Sequence, residues 1–466
     1  MPNPSFLFVQ VQDTGKVSPR KDVRTAIQKH VMRDIGAARR GKPRRKVMSE
    51  QTAETAGQDQ VPVSIWAMLA PALVSGGART NPFASYPIPM NPDTFFLIDY
   101  LYTSPAPRLR PFRDTWLPLS LSDPALFYEI LSHVSLDVAA VDPGCSDRRR
   151  NRALKLHVLA LQDVNRRLED PSKGLSEGVI GTVLAFACFS HLAKDWKSYE
   201  AHMEGLQTII RLKGGMHKLD HNRMLRLLLS GIDISASCFS NTPPKFPLPL
   251  HALSTLRAEH LELPWWLPPG ATDASNMWTL VFPSDTPLAD IFRDLATAVM
   301  TLKLETTRSG RPLWLDTQFV RDYLDPLTHR LLETSIGVEA VNSGSFRGEC
   351  SRLAAVILLG KIRRAARGGR GVFMGIETEK LRVLLVRYGS EWTVFKPMLL
   401  WVLVLGALEV EGEERGWFCA IIRKTAGEIG LRGWDEVVVT VSNLLWVEEV
   451  LGGEGEGLRG GVGMEG

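Results

Sequence analysis

The stretch Tyr199 to Gly215, YEAHMEGLQTIIRLKGG, admits one local structure. Tyr199, Met203, Leu206, Ile209 and Ile210 fall at i, i+4, i+7, i+10 and i+11, one face of a 3.6-residue helix. Arg211 and Lys213 stand in the last turn, where cations meet the negative end of the helix dipole, and Gly214-Gly215 supplies a left-handed stop. The spacing predicts a buried helix with a sharp end, a piece of scaffold with no chemistry of its own.

The same periodicity recurs along most of the chain. It predicts helices over residues 93–102, 123–141, 150–169, 176–193, 197–213 and 221–240, and again over 287–305, 316–335, 347–366, 378–388, 393–410, 414–429 and 434–451. Asp123-Pro124 is a strong helix start, the carboxylate as cap and the proline at the first helical position. Proline-rich breaks interrupt the pattern at Asn241–Pro249 (NTPPKFPLP) and Pro264–Pro269 (PWWLPP). Alternating Val/Ile/Thr-rich runs bounded by turns are too few for a sheet, so the expected fold class is all-α, an irregular multi-helix array. The helix spacings share no fixed period, which argues against a tetratricopeptide-type solenoid. The last fifteen residues, 452–466, hold eight glycines and are expected to be disordered.

Ahead of the helical region the chain changes character. SFLFVQV at residues 5–11 suits a short strand or anchoring peptide; Val23, Ile27, Val31 and Ile35 then recur every four residues among Arg24, Lys29 and Arg33, a basic amphipathic helix. Gly36 and Gly41-Lys-Pro43 end it and leave Arg39, Arg40, Lys42, Arg44, Arg45 and Lys46 as an exposed basic tract. Between Lys16 and Lys46, twelve Lys and Arg face Asp22 and Asp34, a net charge of +10; the whole chain is +4, so everything else sums to −6. The picture is a mildly acidic body with a basic arm. The expected division is an arm over 1–46, a flexible polar linker over 47–64, a proline-rich connection over 65–92, a helical domain over 93–451 and the tail over 452–466. In the connection, Phe83, Tyr86, Ile88 and Met90 suggest a loop lying against a surface.

Length and composition set outer bounds. At 466 residues, with 44% hydrophobic and 23% charged content, the chain suits two or three domains or one large soluble helical array. The longest apolar runs, Val179–Ala193 and Met398–Leu408, fall short of the roughly 20 residues a membrane span needs, so no membrane association is expected. MPNPSFLFVQVQDTGK lacks the features of a secretory signal, and five dispersed cysteines, Cys145, Cys188, Cys238, Cys350 and Cys419, fit a reducing intracellular compartment. No Cys-x-x-Cys pair exists to hold zinc.

Four patterns resemble sites and each has a plainer reading. Gly174-x-Ser176-x-Gly178 has the letters of a nucleophile elbow, but it follows a helix where a strand is required, and Ser176 stands where the next helix needs its cap. His217 and His221, with Asp220 beside them, come just after a helix-breaking Gly-Gly and have no third ligand. Gly455-x-Gly457-x-x-Gly460 has no strand before it to build a phosphate cradle. Lys361, Arg363, Arg364, Arg367 and Arg370 close a predicted helix, where cations suit the dipole without any ligand. Only the tract Arg39–Lys46 carries a strong chemical signal, since paired basic clusters suit an import receptor or a phosphate backbone. No catalytic residue, cofactor or metal ligand is expected.

Taken in order, FLFVQV with VRTAIQKHVMRD, ARTNPFASYPI at 78–88, WLPLSLSDPALFYEILSHVSLD at 116–137 and HMEGLQTIIRLKGGMHKL at 202–219 resemble the fungal-specific transcription-factor regulatory family. TPPKFP at 242–247, LLWVLVLGALEV at 399–410 and WDEVVVTVSNLLWVEEV at 434–450 extend the resemblance. It implies a long all-helical regulatory domain and no catalytic residues. Members that bind DNA directly carry a binuclear cluster of six close cysteines, and this chain is similar to the subset without it. The resemblance therefore implies a nuclear regulator acting through protein partners or a ligand, with nucleic acid contacted indirectly or non-specifically by the basic arm. A cytosolic helical scaffold is the alternative, and the sequence leaves the oligomeric state open.

Overall fold

The structure is a computed structural model, and it describes residues 86–249 apart from 145 and 171, and 274–463 apart from 284, 311, 317–318 and 367–377. The arm, the polar linker and most of the proline-rich connection, Phe83 included, lie outside the described residues. Among those described, the chain is helical throughout and contains no strand. They divide into two compact units, one built from residues up to Pro105 and Phe112–Lys218, the other from Ala106–Pro111 and Leu219 onward.

The first unit holds α1 (Pro92–Thr103), α2 (Leu117–Ser120), α3 (Pro124–Val141), α4 (Ser146–Leu168), α5 (Glu177–Leu192) and α6 (Trp196–Leu212). Asp123 opens α3 as expected, its Oδ1 accepting the N–H groups of Ala125 and Leu126 at 3.0 and 3.2 Å. Ser176 caps α5 by accepting from Val179 N at 3.3 Å, which settles the serine's structural role. α6 buries Tyr199, Met203, Leu206, Ile209 and Ile210, and Gly214 and Gly215 end it at φ of 105° and 101°, a region glycine alone enters freely. α3 packs on α4 and α5, and α5 on α6. By length and composition α3 is apolar enough to cross a membrane, but 67% of it is buried inside the protein and its hidden face carries Glu129 and His133, as a core helix does. The proline-rich entry does lie on this unit: Tyr86 meets the rings of Phe95 and Phe127 at 6.1 and 6.0 Å, and Ile88 is buried.

The second unit holds α7 (Arg223–Ser240), α8 (Ala274–Val281), α9 (Thr286–Ser309), α10 (Asp325–Glu333), α11 (Phe346–Ala366), α12 (Thr378–Tyr388), α13 (Lys396–Glu409), α14 (Gly412–Glu428) and α15 (Trp434–Ser442). α13, LLWVLVLGAL at its centre, is the apolar axis, with nearly every residue buried between α11 and α14. At Gly406 the approach is so close that a Cβ there would stand 2.6 Å from the Phe418 ring of α14. The helix expected over 316–335 is a π-helical turn at Val320–Leu324 running into α10.

Of the tail over 452–466 expected to be disordered, the described residues to 463 are mostly helical, while 464–466 lie outside the described residues. Residues Glu448–Glu456 form α16 and Arg459–Val462 form α17, with Leu451, Leu458 and Val462 buried in the core of the second unit. Each helical glycine costs about 1 kcal/mol against alanine. Three apolar anchors offset that cost, since burying an aliphatic side chain contributes about 1.5–3 kcal/mol. Packing here overrides propensity.

Candidate functional site

The basic tract Arg39, Arg40, Lys42, Arg44, Arg45 and Lys46, and the helix bearing Arg24, Lys29 and Arg33, lie outside the described residues. What the described chain offers is two buried polar clusters, one in each unit.

In the first unit, Glu129 of α3 is fully buried with His157 Nδ1 2.7 Å and His133 Nε2 3.2 Å from its two oxygens. Aromatic rings close the site: Phe186 and Phe189 lie 5.2 and 6.0 Å from His157, and Phe112 lies 5.4 Å from His133. Burial alone would raise the Glu129 carboxyl, yet His157 and His133 outweigh it and hold the pKa at about 2. Burial works against the charge of His157 in turn, and Glu129 raises its pKa nonetheless. His202 of α6, beside Phe186, is pushed down to about 4 by burial and by the neighbouring His157 charge. The cluster is an internal ion pair beside a neutral imidazole.

In the second unit, a polar seam runs through α7, α10 and α11 and closes on the proline-rich break after α7. Prolines 243, 244, 247 and 249 have no N–H to donate, so side chains must fix this segment. Asp233 Oδ2 accepts the Phe246 N–H at 2.8 Å, and His329 Nε2 donates to the Phe246 carbonyl at 2.9 Å. Arg226 donates to the carbonyls of Leu248 and Pro247 and pairs with Asp220 at 3.0 Å. Burial pushes the Asp233 carboxyl up to about 6. Asn241, left-handed at φ 49°, ends α7 and accepts from Arg352 at 2.7 Å; Arg352 holds Glu349 through two bonds of 2.8 Å, and Glu349 also receives Lys380 at 2.6 Å.

Of the cations expected to close α11, Lys361 and Arg363 are buried and Arg364 is half-buried. Arg363 meets Asp325 at 3.2 Å and donates to Ser235 Oγ at 2.9 Å, Arg364 forks onto Glu409 at 2.7 and 2.5 Å, and Lys361 lies 3.4 Å from Glu409 and 2.5 Å from Glu454. Their partners stand far away in sequence, which is why local pattern reading missed them. Arg367 and Arg370 lie outside the described residues. His217 is exposed on a 3-10 turn of helix at Met216–Leu219 and His221 on the turn after it, and Asp220 between them is engaged by Arg226.

These arrangements fix conformation more readily than they perform a reaction. The charged groups of the seam are held by opposite charges and by backbone N–H and carbonyl groups, and the buried thiol of Cys238 is pushed up to about 11 by desolvation, away from thiolate chemistry. Among the described residues, no three His, Cys, Asp or Glu side chains converge as metal ligands do.

Compared with known proteins, a family model described as the fungal specific transcription factor domain matches residues 96–445. The match takes in both buried clusters. No curated protein and no solved structure matches the chain.

Proposed function

The chain belongs to the fungal specific transcription factor domain family, and from that membership we propose that it is a nuclear regulator whose helical units bind protein partners or a small ligand. The basic arm directs it to the nucleus, or touches nucleic acid non-specifically through phosphates. The observation that carries this reading is the separation of charge from fold: the +10 between Lys16 and Lys46 lies wholly outside the region, 96–445, that matches the family. A run of cations supports phosphate contact or receptor recognition, which carry little sequence readout. The family is one of transcription factor domains rather than of enzymes.

Localisation of a full-length fluorescent fusion tests the proposal. Replacing Arg39, Arg40, Lys42, Arg44, Arg45 and Lys46 with glutamine is expected to move the fusion from nucleus to cytoplasm. A fusion that is cytoplasmic with the native arm and unchanged by the substitutions would instead support a cytosolic scaffold.

A further inference from the structure

The segment after α15 is glycine-rich yet helical and packed. α16 has glycine at three of nine positions and α17 at two of four, so neither is a good helix in isolation. They are helical because of their seat. Leu451, Leu458 and Val462, at i, i+7 and i+11, are 0–1% exposed, while the residues between them face outward or are glycine. The seat is formed by α11, α13 and α14. The Trp446 ring lies 3.5 Å from where a Cβ of Gly455 would stand, and Cys419 Sγ lies 3.1 Å from the corresponding point on Gly461.

Two charges in the seat face the segment. Lys361 is 4% exposed, donates to the Leu408 carbonyl at 3.0 Å, and reaches Glu454 Oε2 at 2.5 Å; Glu454 itself is 54% exposed. Arg423 donates to the closing carbonyls of Val462 and Gly461, the groups that the end of a helix leaves without an internal partner. The resident, two short helices joined by a turn at Gly457-Leu458, thus presents apolar side chains at i, i+7 and i+11, a carboxylate at i+3 to Lys361, and its last carbonyls to Arg423.

We infer that this seat is an interaction surface for an acidic, leucine-bearing helix of a partner protein, which binds by displacing the chain's own α16 and α17. The glycine-rich segment is a weak resident: it keeps the apolar floor covered and gives Lys361 a second carboxylate beside Glu409, while its glycines keep its hold low. A partner helix with the same pattern and without the glycines loses less conformational entropy on docking, which offsets the advantage of the tethered segment. The inference is independent of where in the cell the protein works.

The test uses the full chain and a fluorescein-labelled peptide of residues 447–463 in which Gly453 and Gly460 are alanine, positions where a Cβ meets nothing within 4 Å. Placing Gly453→Ala and Gly460→Ala in the chain itself strengthens the resident segment and is expected to weaken peptide binding roughly 15- to 30-fold. Leu458→Asp in the chain evicts the segment and is expected to tighten peptide binding at least about tenfold. Changing Glu454 to Lys in the peptide is expected to cost at least about tenfold, because Lys361 then faces a like charge. In the unsubstituted chain, amides of 448–463 are expected to exchange with solvent well ahead of those in α13. The inference is overturned if all three chains bind the peptide equally, if the peptide's charge reversal is without effect, or if 448–463 exchanges as slowly as α13. It is also overturned if the Leu458→Asp chain forms a dimer that excludes the peptide, which would give the seat to a second copy.

Discussion

Gly178 and Asp123 fix one another. A Cβ on Gly178 would stand 1.6 Å from Asp123 Oδ2, and that carboxylate at once caps α3 and receives Arg167 through two bonds of 2.6 and 2.8 Å. Gly178→Ala must therefore displace the cap and its ion pair together, and urea denaturation is expected to show a loss of about 2–4 kcal/mol. His202 makes a pH-dependent counterpart. Its folded pKa is about 4 against an ordinary 6.5, so between those values the unfolded chain binds the extra proton. Stability of the first unit is then full above pH 6.5 from this group and falls as pH drops toward 4, by about 3 kcal/mol. His202→Gln is expected to flatten the denaturation profile across that window; an unchanged profile would mean that the imidazole is not buried neutral. At this scale the sequence was legible where a role is local. Ser176 as a cap and Gly214-Gly215 as a stop follow from neighbours within four positions. The burial of Lys361 and Arg363 and the pairing of Arg364 were not legible, because Glu409, Asp325 and Glu454 stand tens of positions away.

Helices follow from periodicity, and α3, α5, α6, α11 and α12 begin and end within a residue or two of where their apolar spacing places them. Two kinds of element escaped. α8 (Ala274–Val281) is short and follows a proline-rich stretch, too few turns for a period to emerge. The part of α16 after Leu451, and α17, read as disordered because propensity and tertiary packing oppose each other there, and the packing wins through buried side chains. The contrast can be made quantitative within one helix pair. Gly416 of α14 is exposed with nothing within 4 Å of its Cβ position, so Gly416→Ala is expected to stabilise by about 1 kcal/mol. Gly406 of α13 faces the Phe418 ring at 2.6 Å, so the same substitution is expected to destabilise by about 1–3 kcal/mol. Thermal denaturation of the two variants, read side by side, checks both signs.

At the scale of the whole molecule, the all-helical class was legible because alternating strand patterns are scarce throughout, and the regulatory family was legible from segments such as TPPKFP. The structure adds a reason for that segment: Asp233, His329 and Arg226 hold its backbone, so the break is a built joint within the second unit. The proposed role rests on division of labour between a basic arm and a helical body. Chromatin occupancy of the tagged full-length protein, with and without residues 16–46, measures that division most directly. The account predicts occupancy with the arm and its loss without it; absence of occupancy in both forms would contradict the assignment of this chain as a nuclear regulator.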